Sequence, residues 1–308
     1  MSADGAISYR ALDMLHARYG PRLRGREPFW RPTPAPVSAE VWEPRWTWRR
    51  PVTSGDGTRI GTLDANGAFL GAICTVEVAH GALAHTPRRS FHRAVPGLWL
   101  IDWHPWNYAD RIVSPLGSRR DVERVWVTTP TMQLLENLCA EGVWPGLDVY
   151  DSWTCTDRCR LRAWGVHMRD DRARAMAHGD RPLVAAIKLG YSQAVTVMAT
   201  SGAARVHRAD WAQHIRGQHA ASTWRKAWAC INAGVRLGGM GAVDELSISW
   251  DDVERLRAAA AYGTPAPLTL DQTGVALGAW KVKEDTTTAA WAAAPGRRTA
   301  RHQVGRRA

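Results

Sequence analysis

The chain has 308 residues and a mass of 34.1 kDa, which fits one large domain or two small ones. Its 45% of hydrophobic residues allow a sizeable core and argue against global disorder, and its net charge of +11 favours a polyanionic partner. The sequence contains no run of about 18 apolar residues and no secretory signal pattern at its start, so we expect a cytoplasmic protein that does not contact a membrane.

Both ends of the chain differ in composition from its middle. Residues 21–50 hold six prolines, seven arginines and four tryptophans, which predicts an extended arm on the surface of a folded body. A linker is an equally good interpretation of this segment. Residues 295–308 form a basic tail that we expect to touch phosphate backbones without sequence preference.

Between these ends the pattern alternates between strands and helices. Apolar runs predict strands at 59–63, 97–103, 124–129, 147–154, 241–249 and 275–285. Helices are predicted after the turn that follows residue 63, and over 130–142, 158–178, 181–200, 209–234 and 251–261. The two helices of residues 158–200 are inserted between strands that are distant in sequence. The sum is an α+β fold.

The chain uses lysine rarely and its cysteines are scattered. Only four lysines stand among 36 arginines, so a lysine position indicates a need for a compact charge. The five cysteines do not suggest a disulfide framework. The pair Cys155 and Cys159 lacks the CxxC spacing and the second ligand pair of a zinc site, so free thiols are favoured over zinc.

Two acidic residues follow apolar runs. Asp64 ends the run at 59–63, and Asp244 follows Gly241–Val243. Carboxylates on neighbouring strands are what two-metal phosphoryl chemistry requires, and the helices between them supply Arg172 and Lys188 for phosphate groups. Each residue also has a plain structural interpretation, as a helix cap, a turn acid or a solvated helix face.

The order of these segments resembles family B DNA polymerases. LDANGAFLGAI is similar to the first palm motif, with Asp64 as a metal ligand and Phe69 beneath the sugar of the incoming nucleotide. LRAWGVHMRDDRARA and RPLVAAIKLGYSQAV resemble the two fingers helices, and LGAWKVKE the strand where lysines meet the primer. The resemblance implies catalytic roles for Asp64, Asp244 and Lys188, nucleotide contacts for Phe69, Arg169, Arg172 and Tyr191, and DNA contacts for Lys281, Lys283, Arg297 and Arg298.

The resemblance covers residues 57–285, and the nearest similarity is to actinobacterial telomere-associated, protein-primed-type polymerase-like proteins of linear replicons and phages. It implies an antiparallel palm-like sheet with inserted fingers helices and no evident thumb. The implied domains are an arm (1–56), a palm with a fingers insertion at about 158–200 (57–294), and the basic tail (295–308). DNA and deoxynucleoside triphosphates are the implied partners, with Mg²⁺ or Mn²⁺ as cofactor and a terminal protein or another replication subunit as a further partner.

Several departures from the family pattern stand out. Ala242 occupies the place of the first aspartate in the second metal motif, and only Tyr191 remains of the run after the fingers lysine. About 50 residues before the first motif are too few for a proofreading exonuclease, and about 24 after Glu284 too few for a thumb.

Three alternative functions are therefore consistent with the sequence. The first is a polymerase-like nucleotidyltransferase that acts on replicon DNA, with telomeric ends as one expected site of action. The second is a catalytically degenerate DNA-binding or scaffold protein of a mobile element. The third, a helix-turn-helix regulator built on residues 209–234, lacks a glycine where the turn should be, since Gly217 comes too early.

Overall fold

The computed structural model describes residues 13, 34–41, 43, 46–117, 123–201, 206–242 and 244–294. Its strands are β1 (Trp46–Arg49), β2 (Arg59–Ala65), β3 (Glu77–Ala79), β4 (Ala84–His85), β5 (Gly97–Asp102), β6 (Arg124–Thr128), β7 (Val149–Thr154), β8 (Arg158–Arg160), β9 (Leu237–Ala242), β10 (Glu245–Ser249) and β11 (Trp280–Thr287). Its helices are α1 (Ala68–Thr75), α2 (Thr129–Ala140), α3 (Arg162–Ala177), α4 (Arg181–Thr200), α5 (Ala209–Asn232), α6 (Trp250–Ala261) and α7 (Thr288–Ala293). The mixed helix and antiparallel-sheet architecture confirms the predicted α+β class.

The main sheet has five antiparallel strands in the order β1-β9-β10-β2-β11. Side chains alternate between its two faces, so Leu63 is fully buried while its neighbour Asp64 lies on the opposite face. The buried face joins α2, α5 and α6 in the largest core cluster, with Leu246, Ile248 and Trp280. This core holds the strands that carry the predicted metal ligands.

The run at 241–249, predicted to be one strand, is a hairpin. Strands β9 and β10 pair with each other, and Asp244 lies in the turn between them. Hydrophobicity alone does not mark the reversal because both strands contribute to the same core. The sequence also predicted helix at 158–160, but these residues form β8, which pairs with β3 about 80 positions away.

Helices α3 and α4 form the predicted helical hairpin. Gly179 has a positive φ of 68° at the turn, and the side chain of Asp180 caps α4 by accepting from the backbone N–H of Leu183. A second core cluster joins α1, α3, α4 and α5 through Leu70, Trp164 and Tyr191. Helix α4 is long and apolar enough to cross a membrane by length and composition, yet one of its faces packs into this cluster.

A second sheet, in the order β4-β7-β5-β6, packs beside α2 and α5. Part of the predicted arm also belongs to the folded body. Residues 46–49 form the edge strand β1 because Trp46, 1% exposed, is buried in the main core. The carboxyl group of Glu43 bonds to the start of α2, at Thr128 and Thr131. The tail at 295–308 lies outside the described residues.

Two further expectations can be compared with the structure. None of the five cysteines forms a disulfide bond. Helix α5 runs unbroken through Gly217 for 24 residues, which removes the helix-turn-helix interpretation. A Cβ atom at Gly217 would lie 2.2 Å from Oγ1 of Thr128, so glycine here serves close packing of α5 against the start of α2 and does not form a turn.

Candidate active site

A row of charged side chains crosses one face of the main sheet. Asp64 on β2 lies directly opposite Glu245 on β10 and directly opposite Lys281 on β11. Nζ of Lys281 is 3.2 Å from Oδ2 of Asp64. Nζ of Lys283 is 3.9 Å from Oδ1 of Asp64 and also contacts Glu245. Antiparallel register thus brings two carboxylates and two ammonium groups together.

Asp244 adds a third carboxyl group at the end of this row. Its backbone carbonyl accepts a hydrogen bond of 3.0 Å from the backbone N–H of Ala65, which fixes the turn beside β2. Burial raises the pKa of Asp244 to about 6, and the negative charges of Asp64 and Glu245 add to the rise. Lys188 and Lys283 oppose this rise in the Asp244 pKa. Asp64 on β2 and Asp244 in the turn before β10 therefore lie at adjacent ends of neighbouring strands, and the shared cation position expected for them stays a prediction.

The fingers-like helices reach this carboxylate group. The hydroxyl of Tyr191 on α4 is buried, which raises its pKa to about 12. Asp244 and Asp64 strengthen that rise and Arg172 on α3 weakens it. Charges from the sheet and from α3 thus act on the Tyr191 hydroxyl of α4. Lys188, one helical turn before Tyr191, is exposed and acts on Asp244.

The turn after Asp64 is held by the loop before β11. The backbone N–H of Asn66 donates to the Ala279 carbonyl at 2.8 Å, and its side-chain Nδ2 donates to the Asp271 carbonyl at 2.9 Å. Gly67 has a positive φ of 59°, and a Cβ there would lie 2.5 Å from Leu277. This turn leads into α1 and sets the position of Phe69, whose ring centroid is 5.0 Å from that of His219.

Arg172 and Arg169 occupy different places on α3. Nη2 of Arg172 donates to the Gly274 carbonyl at 2.8 Å, so α3 is tied to the same loop that holds Asn66. Arg169 lines a cleft together with His219 and Lys226, behind the sheet. The structure therefore brings Asp64, Asp244, Lys188, Arg172, Tyr191, Lys281 and Lys283 into one region and places Arg169 elsewhere. Arg297 and Arg298 lie outside the described residues.

The donor set suits a hard divalent cation. Among the residues that the structure describes, no three His, Cys, Asp or Glu side chains lie close enough to hold one metal ion together. Mg²⁺ does not need three, because it is usually bound by one or two carboxylates, with water and substrate phosphates completing the shell. Asp64 and Asp244 are two such carboxyl groups at the ends of neighbouring strands, and Lys281 and Lys283 lie beside them.

Sequence reasoning missed the position of Glu245. The residue was visible as the neighbour of Asp244 in AVDEL, but only the register places it directly opposite Asp64. Had β2 and β10 been aligned so that Asp64 faces Glu245, the two-residue alternation of side chains would have placed both carboxylates on one face of the sheet. His219 gave no signal in the sequence, because its burial depends on the packing of α5 against α1.

Comparison with known proteins identifies a fold. No protein-family model matches the chain, and no curated protein sequence matches it. Among solved structures, Phi29 DNA polymerase complexed with primer-template DNA matches with a TM-score of 0.58 and 9% identity, covering 91% of this chain and 52% of the polymerase. The complex of the same enzyme with single-stranded DNA has a TM-score of 0.56, 10% identity and coverage of 92% and 52%.

The ternary complex of Phi29 DNA polymerase with primer-template DNA and incoming nucleotide also matches, at a TM-score of 0.56 and 10% identity, covering 92% of this chain and 53% of the polymerase. The chain thus spans about half the length of these structures. At such low identity the likeness establishes a shared fold over that span, and it agrees with the expected palm-like sheet with inserted helices.

Proposed function

We propose that the protein binds DNA and catalyses polymerase-like nucleotidyl transfer with Mg²⁺ or Mn²⁺. The observation that carries this proposal is the register of the main sheet, which sets Asp64 beside Glu245 and Lys281, with Asp244 at the adjoining turn. The solved structures of the same fold are complexes with DNA and with nucleotides, which supports these partners.

In this proposal Asp64 and Asp244 hold the cations, which when bound would neutralise the substrate phosphates. Lys188 on α4 lowers the pKa of Asp244 through its charge, and a compact ammonium group suits one phosphate oxygen. Arg172 uses one of its five N–H donors on Gly274, and its fork geometry suits a triphosphate with the remaining ones. Phe69 would lie beneath the sugar of the incoming nucleotide. Tyr191 would position that nucleotide on the side of the site where Arg172 lies.

Lys281 and Lys283 would contact the primer strand. In the structure their ammonium groups pair with Asp64 and Glu245. A primer phosphate offers these lysines an alternative anion, so primer binding would release the carboxylates for the cations. Arg169, Arg297 and Arg298 are proposed to add DNA or nucleotide contacts outside this group. We further propose that the protein acts at the telomeric ends of actinobacterial or phage replicons. Its partner would be a terminal protein, and its location the cytoplasm.

A second candidate function is a degenerate DNA-binding scaffold. It is favoured by Ala242, which leaves the second metal motif with one aspartate. The scaffold would keep the fold and the basic surface and would not transfer nucleotides.

Primer extension separates the two candidates. The substrates are a primer-template duplex and deoxynucleotides with Mg²⁺ or Mn²⁺. We expect the unmutated protein to extend the primer, and Asp64→Asn and Asp244→Asn to lose extension while still binding the duplex. Asp251→Asn is the control, because the Asp251 side chain is 78% exposed on α6. Duplex binding without extension by the unmutated protein would favour the scaffold.

A further inference from the structure

The cleft lined by Arg169, His219 and Lys226 lies on the face of the main sheet opposite to the carboxylate row. It has a volume of about 470 Å³ and is bounded by α1, α5 and the loop before β11. Ala65 and Trp280, which are cross-strand partners, line it. Asp64 and Lys281 precede and follow these residues on the same strands, so their side chains point to the other face. The cleft is therefore a separate site from the carboxylate row.

A buried histidine without a partner lines this cleft. His219 is 3% exposed, and its Nε2 atom has no hydrogen-bond partner among the described residues. Burial lowers the pKa of His219 to about 4, so the ring is neutral at neutral pH and offers one N–H donor and one acceptor. A buried polar atom without a partner is costly. Nε2 is itself closed off from the open cleft, so a polar group of a bound molecule would reach it only after the His219 ring turns.

The remaining walls combine apolar surface with cations. Leu277 and Ala68 provide apolar surface and Ser222 provides a hydroxyl group, whereas the Trp280 and Thr223 side chains in the lining are themselves buried. Two cationic side chains, Lys226 on α5 and Arg169 on α3, stand at the cleft, and Lys226 is exposed. Asp170 pairs with Arg169 at 2.8 Å and offsets part of its charge, so Lys226 is the main site for an anion. The volume lies within the roughly 300–1,000 Å³ of small-molecule sites.

We propose that this cleft binds one nucleotide unit. Its flat base would lie on the apolar surface with a polar edge toward His219, and its phosphate would be held by Lys226 and Arg169. Two sources offer this chemistry, a free nucleotide and a single unstacked nucleotide of a DNA strand. The inference goes beyond the proposed polymerase function, because it concerns the other face of the sheet and needs no divalent cation.

Gly71 makes a sharp test possible. It lies on α1 within the cleft lining, and a Cβ atom built there meets nothing within 4 Å. Gly71→Ala therefore keeps the cleft open and suits a helix, whereas Gly71→Phe fills the space. Lys226→Gln removes the exposed cation without changing the cleft, and Arg257→Gln on α6 is the matched charge control.

Binding is measured in EDTA, so that cation-dependent binding at the carboxylates does not contribute. Isothermal titration with deoxyadenosine monophosphate tests the free nucleotide. Fluorescence of a short single strand carrying 2-aminopurine tests the strand, because that base brightens when it is unstacked. We expect Gly71→Phe and Lys226→Gln to weaken at least one of these signals tenfold or more, while Gly71→Ala and Arg257→Gln leave both unchanged.

The two arms identify the source. Titration heat that disappears in the two cleft variants identifies a free nucleotide, and a decrease confined to the 2-aminopurine signal identifies a strand. Circular dichroism reports whether Gly71→Phe is folded. If that variant is unfolded, binding by Lys226→Gln alone decides the test. The proposal is overturned if neither probe binds, or if both bind to the cleft variants as tightly as to the unmutated protein.

Discussion

Glu43 is a carboxyl group that the fold buries at the start of α2. It accepts hydrogen bonds from the backbone N–H of Thr128 at 3.0 Å and from the hydroxyl of Thr131 at 2.8 Å. Burial raises its pKa to about 7, and these hydrogen bonds and the charge of Arg216 limit the rise. The contact joins a residue of the predicted arm to the palm-like body.

The raised pKa of Glu43 makes folding stability depend on pH. The unfolded group titrates near 4.5 and the folded group near 7, so between these values the folded state holds the extra proton. Stability therefore falls as pH rises through this window, by on the order of 3 kcal/mol. Glu43→Gln keeps an acceptor and removes the titration. We expect the variant to unfold at higher urea than the unmutated protein at pH 8, with the difference vanishing near pH 4.5.

Urea unfolding of both proteins across pH 4.5–8 checks this, and the difference between their midpoints isolates Glu43 from the other titrating groups. A difference that does not change with pH would show that the Glu43 carboxyl titrates at an ordinary value in the folded protein.

Lys188 tests the nucleotide side of the site. A guanidinium group is bulkier than an ammonium group and prefers two-point contact, so Lys188→Arg should lower the transfer rate far more than it weakens DNA binding. Lys188→Ala should lower the rate at least as much, by roughly 10²–10³-fold. Single-turnover primer extension and duplex binding are measured in parallel. Equal extension by Lys188→Ala and the unmutated protein would remove Lys188 from the site.

At the scale of elements, periodicity predicted α3, α4, α5 and α6 because each has a continuous apolar face. It did not predict β8, which pairs with the distant strand β3, or the β9–β10 turn, which joins two consecutive apolar strands that pack into the same core. Asp64 and Asp244 were found from the ends of apolar runs, whereas the pairing of Glu245 with Asp64 needed the register. The hydrophobic pattern along the chain thus predicted the elements, whereas strand pairing was needed to place Glu245 in the site.

Two glycines in helices show opposite packing. A Cβ at Gly217 would lie 2.2 Å from Oγ1 of Thr128 and 2.8 Å from Oε1 of Glu43, whereas a Cβ at Gly71 is free of contact. Gly217→Ala should destabilise the protein by about 1–3 kcal/mol through overpacking. Gly71→Ala should stabilise it by up to about 1 kcal/mol through helix propensity. Thermal unfolding of the two variants compares them directly, and shifts of the same sign would contradict the packing of α5 against α2.

At the scale of the whole molecule, a solved-structure match shows that the chain has a Phi29 DNA polymerase-like fold at 9% identity. Composition could not reveal this, because it reports charge and core size without topology. The approach of α3 and α4 to the main sheet was expected from the motif order, and the structure places Tyr191 and Arg172 beside the carboxylates. The cleft behind the sheet had no sequence signal.

The basic tail should contribute to DNA affinity by counterion release. Deleting residues 295–308 removes five arginines. If these bind phosphates, the slope of log affinity against log salt should become shallower by about 0.9 for each phosphate that the shortened protein no longer neutralises. Fluorescence anisotropy with a duplex at several salt concentrations measures the slope. An unchanged slope would show that the tail does not bind DNA phosphates.

The central claim is that Asp64 and Asp244 hold divalent cations beside a nucleotide. Electron paramagnetic resonance of Mn²⁺ tests it most directly, with primer-template DNA whose primer lacks a 3′-hydroxyl and with the matching deoxynucleotide. We predict that the unmutated protein binds Mn²⁺ under these conditions and that Asp64→Asn and Asp244→Asn each reduce this binding at least tenfold, while Asp251→Asn does not. Equal Mn²⁺ binding by all four proteins would contradict the account.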